Sequence, residues 1–248
     1  MKSLKSAFES AKLGIPILDE ALGGGIPRGY LVLIEDELGY NSNILLTKFL
    51  AEGLQKGEYG FILSVDHNQE YHFTQISKIG MSPETLIETG RLIYIDAFSS
   101  LRSGYHDPKQ ISKERISDLS NLFEVNETIR RTLLHVSESL AVRGIIDSFS
   151  TMLHLSDSLK SSIFFLQNRS ASDKARSSTT FMLVHKDAHD PYILKALEHL
   201  ADGVITLTGQ SASSSQSTLR IAKMRDVDYS RELFNFEWYK GKLTLTKL

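Results

Sequence analysis

Short runs of β-branched and aliphatic residues recur along the chain at 30–35 (YLVLIE), 59–65 (YGFILSV), 91–98 (RLIYIDAF), 143–149 (RGIIDSF), 179–185 (TTFMLVH) and 202–208 (DGVITLT). Most are apolar throughout rather than alternating, the pattern of strands covered on both faces. Between them, apolar residues recur at helical spacing over 43–57, 69–80, 114–141, 158–175 and 191–201. This repeated strand-helix-strand order predicts an α/β fold with a mainly parallel, twisted sheet and helices on both faces.

The tail changes period. Segments 217–225, 233–240 and 242–248 alternate in polarity and are separated by DVDYSRE and Gly241, which predicts an antiparallel meander at one edge of the sheet. A Ser-rich stretch, 211–217 (SASSSQS), reads as a connection. With no repeat and no linker, residues 1–248 are expected to form one domain, with 1–12 as an N-terminal segment and 209–248 as the antiparallel edge.

Lysine and arginine total 28 against 30 acidic residues, a net charge of −2, so no global excess of positive charge points to nucleic acid or an anionic membrane. The absence of cysteine rules out disulfides and thiolate metal sites and agrees with a cytoplasmic location. The longest apolar runs are strand-sized, so no membrane span is expected.

The stretch 14–54 (GIPILDEALGGGIPRGYLVLIEDELGYNSNILLTKFLAEGL) resembles the opening of KaiC-like ATPases, the RecA-superfamily group found in archaea and in the bacterial circadian clock. The likeness continues through IDAF at 95–98, RGIIDSFSTML at 143–153, LADGVITL at 200–207 and KMR at 223–225. It implies a RecA-like P-loop NTPase fold, ATP and magnesium at subunit interfaces, and assembly into rings, commonly hexamers.

A phosphate loop has the pattern G-x-x-x-x-G-K-[ST], whose glycines let backbone N–H groups curl around phosphates while lysine and a hydroxyl serve phosphate and magnesium. Laid on that pattern, the first glycine is Asp36, the second Asn41, the lysine Ser42 and the hydroxyl residue Asn43, while Gly39 survives at an interior position. Asp36 and Glu37 bring negative charge and Ser42 no positive charge. The plain reading is that Asn41 or Ser42 caps the following helix.

By the same resemblance, Asp66 or His67, after the second strand, stands where the water-activating acid belongs. Asp147 stands where magnesium is held through water, and the residues leave open whether it is instead a strand-end carboxylate accepting from backbone N–H groups. Lys223 and Arg225 match a pair that reaches toward a neighbouring subunit's nucleotide. They stand two apart on a predicted strand and so face one way; their other reading is a solvated edge strand. HKDAHD at 185–190 holds residue types that bind metals but reads as a polar turn. The basic residues Lys160, Arg169, Lys174 and Arg176 lie where recombinases carry a DNA-facing loop, without interleaved aromatics.

The expectation is therefore a KaiC-like chain that has lost ATPase activity and serves as a regulatory or scaffolding subunit. It would form a homo-oligomer or join a ring with an active paralogue. The alternatives are a residual ATP·magnesium-binding protein or slow ATPase, and a DNA-binding recombinase paralogue.

Overall fold

The computed structural model describes residues 10–37, 42–102, 111, 114–156, 158–209, 216–239 and 242–248. The chain opens with β1 (Ser10–Ala11), α1 (Pro16–Ala21) and β2 (Ile26–Pro27), followed by β3 (Leu31–Asp36), α2 (Asn43–Gln55) and β4 (Tyr59–Ser64). It continues through α3 (Gln69–Lys78), α4 (Pro83–Glu88), β5 (Leu92–Asp96), β6 (Glu114–Arg115), α5 (Leu122–Thr132) and β7 (Val142–Asp147). Then come α6 (Phe149–Leu155), α7 (Leu159–Arg176), β8 (Thr179–His185), α8 (Pro191–Leu200) and β9 (Gly203–Gly209). The last strands are β10 (Gln216–Met224), β11 (Leu233–Tyr239) and β12 (Lys242–Lys247).

Strands β3 to β12 form one ten-stranded sheet in the order β12-β11-β10-β9-β3-β8-β7-β4-β5-β6. Strands β9, β3, β8, β7, β4, β5 and β6 run parallel, and β10 to β12 close the edge antiparallel, as the change of period predicts. Alternate residues feed two cores. Val32, Ile34, Ile62, Ile145 and Phe181 face Phe49 and Leu50 of α2, where the Phe49 and Phe181 rings stack at 3.9 Å. Leu31, Leu33, Leu63, Ile146 and Met182 face the layer carrying Val125, Ile129, Phe165 and Leu197.

One expectation needs correction. Segment 114–141 is not helical throughout: Glu114–Arg115 pairs with Ile95–Asp96 as a short edge strand, and the helix starts only at Leu122. There the Asn121 side chain accepts from the Glu124 N–H at 3.2 Å, a cap that sets the start more firmly than the apolar spacing upstream. The segments 211–215 and Gly241 lie outside the described residues.

The opening motif acquires physical meaning. The Asp19 carboxylate accepts from the backbone N–H of Leu13 at 2.6 Å and of Gly14 at 3.2 Å, tying α1 to the strand before it. Gly25 has φ +125°, and a Cβ there would lie 3.0 Å from the Ala11 carbonyl oxygen, so the turn into β2 requires glycine.

Beneath α2, Glu58 holds two arginines. Arg143 donates Nε to Oε2 at 2.7 Å and an Nη to Oε1 at 2.9 Å, and Arg28 donates to the same two oxygens at 2.8 and 2.6 Å. Arg143 also donates to the Phe49 carbonyl at 2.8 Å and to that of Lys12. Burial opposes ionisation of Glu58, but the two guanidiniums overcome it and lower its pKa to about 2.

Candidate functional site

The parallel strands β3, β8, β7 and β4 lie side by side and end on one rim of the sheet, the position where ligands bind open α/β sheets. Register aligns Asp36 with His185 and Ser64 with Asp147. Nearly every polar side chain on this rim is engaged by another.

Asp36, buried at 1 % exposure, accepts from His185 Nδ1 at 2.6 Å on one oxygen and from the Ser42 hydroxyl on the other. The Asp36 hydrogen bond raises the His185 pKa against the opposing effect of burial. Ser42 occupies the position before α2, as expected, but makes no cap hydrogen bond to the helix. Its hydroxyl reaches back to Asp36 instead, which corrects the capping expectation for Ser42. Gly39 and Asn41 lie outside the described residues; Asn43 begins α2.

Asp147 is fully buried. Its Oδ2 accepts from His67 Nδ1 at 2.7 Å. His72 Nε2 lies 3.2 Å from the same oxygen, off the line of a hydrogen bond, and Oδ1 has no partner among the described residues. Burial opposes its ionisation, yet the two histidines hold the carboxyl well below the usual range. The His67 pKa is raised, since the bond to Asp147 outweighs burial. The side chain of Asp147 thus meets imidazoles rather than the backbone N–H groups of the sequence-based alternative; only its carbonyl serves the backbone, accepting from Val65 and Asp66.

Asp66 accepts from the Thr151 hydroxyl at 2.5 Å and from Ser148. The ring of Tyr71 stacks on His67 at 4.0 Å. Beside the rim, Glu37 pairs with Lys186 at 2.8 Å and accepts from the Gly209 N–H at 2.8 Å.

Lys223 and Arg225 do not join this cluster within one chain. They sit at the opposite rim, where Lys223 Nζ donates to the carbonyls of Glu198, His199 and Ala201 at 2.8, 3.0 and 2.6 Å and so caps the C-terminus of α8. Arg225 pairs with Asp202 at 3.2 Å. Both side chains point the same way, as their spacing predicts, but β10 is interior, flanked by β9 and β11, which corrects the edge-strand reading. In the HKDAHD turn, His189 Nε2 meets Ser150 Oγ at 2.9 Å and Asp190 caps α8, so the segment is spread over separate contacts. Arg169 is spent on Asp173 at 2.9 Å and Lys174 on Asp202 at 2.9 Å, leaving less basic surface on α7 than its sequence offers.

Sequence reasoning missed Glu35. It is 3 % exposed and its Oε1 has no partner among the described residues. Burial, with the nearby charge of Glu198, raises its pKa to about 7, against Lys195, Lys186 and Arg220. Glu35 ends the apolar run YLVLIE and is followed by Asp36 and Glu37, so nothing in the pattern sets it apart as the buried acid of that stretch. Because the folded pKa lies above the unfolded one, Glu35 lowers stability as pH rises from about 4.5 to 7. Glu35→Gln is expected to stabilise the chain by about 3 kcal/mol at pH 8 and little at pH 4, read from urea midpoints.

The described residues at the phosphate-loop position, Asp36, Glu37, Ser42 and Asn43, supply two carboxylates and no lysine. Where the loop must open to phosphate stands a buried carboxylate, and the rim's imidazoles are committed to carboxylates. No group of three His, Asp or Glu among the described residues is arranged around one point.

The comparisons with known proteins agree with this architecture. The model of the KaiC ATPase family matches residues 11–247. The chain belongs to the KaiC ATPase family. It is similar to a UPF0273 protein of Thermotoga maritima, 27 % identical over 234 residues covering 93 % of both chains. It is also similar to one of Pyrococcus furiosus, 26 % identical over 227 residues covering 91 % of this chain and 89 % of the relative. Its fold matches a KaiC-like protein from Pyrococcus horikoshii OT3 with a TM-score of 0.72 at 19 % identity, covering 96 % of this chain and 98 % of that one. Within this KaiC-family fold, no described helix is long and apolar enough to cross a membrane.

Proposed function

We propose that this KaiC-family chain is a non-hydrolysing member that works as a regulatory or scaffolding subunit, by itself or in a ring with an active paralogue. The observation that carries the reading is Asp36. At the position of the phosphate loop's first glycine, a buried carboxylate is held by His185 on one side and Ser42 on the other. Ser42, at the lysine position, donates its hydroxyl inward. A polyphosphate brought here meets negative charge in a low-dielectric setting, and no lysine from the loop answers it.

A second reading, a slow ATPase or residual nucleotide binder, is favoured by one feature, the Oδ1 of Asp147, which has no partner among the described residues. Phosphate release from ATP with magnesium separates the two. The purified chain is expected to show no turnover above a protein-free blank. Turnover that disappears in Asp147→Asn would sustain the second reading and end the first.

A further inference from the structure

Leu31 and Leu33 of β3 face the layer that carries α8, and the strand's period of two turns Glu35 the same way. β3 lies between β8 and β9, which set Val184 and Thr206 beside Glu35, so the backbone that carries this carboxyl is fixed on both sides. The charged groups around it are Glu198 and Lys195 of α8, Lys186 of the turn after β8 and Arg220 of β10. Two of these cations already have carboxylates, Lys195 pairing with Glu198 at 2.6 Å and Lys186 with Glu37 at 2.8 Å. The buried Oε1 of Glu35 has no hydrogen-bond partner among the described residues.

The helix over Glu35 is lightly held. Leu197 is the only fully buried residue of α8, while Ile193, Leu194 and Leu200 are partly exposed. Hydrogen bonds fix its two ends, His189 meeting Ser150 just before the helix and the last carbonyls accepting from Lys223. An ionised carboxyl buried without a donor is costly. β3 cannot move to relieve that cost, whereas a displacement of α8 admits water and brings Lys195 within reach. Elements with few buried apolar contacts are the ones that open locally.

We propose that Glu35 is a proton-operated catch for α8: the neutral carboxyl lets the helix lie against the sheet, and the ionised one loosens the helix together with its carbonyl-end grip on Lys223. With α8 closed, burial and then the charge of Glu198 raise the Glu35 pKa to about 7 from the ordinary 4.5. Opening of α8 restores the ordinary value. The opening equilibrium therefore grows about tenfold per pH unit between those two values and levels off above the higher one. The catch operates whether or not the chain hydrolyses nucleotide.

The test is amide hydrogen exchange of the full chain from about pH 5 to 8, each rate corrected for the intrinsic pH dependence of exchange. The α8 amides are expected to be less protected than those of β7 throughout, and to lose protection about tenfold per pH unit until the slope flattens near pH 7. Glu35→Gln should remove that slope. In the native chain the carboxyl carbon of Glu35, followed by NMR, should titrate near 7 rather than 4.5. Should Glu35→Gln fail to fold, that titration and the native α8 profile decide. The proposal is overturned by α8 profiles that coincide in the two proteins, by α8 protection equal to that of β7, or by a Glu35 titration at the ordinary value.

Discussion

Glu58→Ala is expected to destabilise the protein by about 3–5 kcal/mol, the cost of breaking a buried ion pair and leaving its partner uncompensated. Arg143 is 1 % exposed, so its guanidinium has no route to water when Glu58 is gone. The remaining acceptors, the carbonyls of Lys12 and Phe49, do not neutralise it. The same pair makes a pH prediction. The folded pKa of Glu58 is depressed, so its contribution is complete above the unfolded value near 4.5 and is lost as pH falls toward about 2. Urea midpoints of the native chain should therefore drop across that window more steeply than those of Glu58→Gln. Parallel pH profiles for the two proteins would show that Glu58 is not the titrating group.

The second large effect is expected at the rim. Asp147→Ala removes the acceptor of His67 and the neighbouring charge of His72, inside a fully buried position. A loss of about 3 kcal/mol follows, the low end for a buried pair because His67 is partly solvated. If Asp147 served chiefly to hold a metal, its removal would chiefly cost turnover. Here its removal should cost stability, visible as a lower urea midpoint at unchanged slope. A variant as stable as the native chain would mean that Asp147 is held for something other than the fold.

Much of the architecture was legible in the sequence because parallel strands buried on both faces leave continuous apolar runs. TTFMLVH gives β8 without adjustment, and the alternation after 216 gives the antiparallel edge. The edge strand Glu114–Arg115 was not legible, since two residues carry no period, and the cap at Asn121 rather than the apolar spacing decides where α5 starts. Within the site, residues at strand ends were found because the family's motif marks those positions. Their partners were not: His185 meets Asp36 across 149 positions of sequence and His67 meets Asp147 across 80, and no local pattern records such pairings. Lys223 and Arg225 show the converse. Their spacing correctly predicts a shared direction, but what they point at, the carbonyl end of α8, is set by tertiary packing.

The proposed non-hydrolysing function rests on Asp36, held by His185 and Ser42, standing where the phosphate loop's first glycine belongs. Thermal unfolding with and without millimolar ATP and magnesium tests it most directly. A ligand at a hundredfold excess over its Kd stabilises by about 2.7 kcal/mol, which for a chain of this length raises Tm by about 5–10 °C. No shift is expected at any ATP concentration up to the millimolar range; a saturable rise in Tm that requires magnesium would contradict the proposed function.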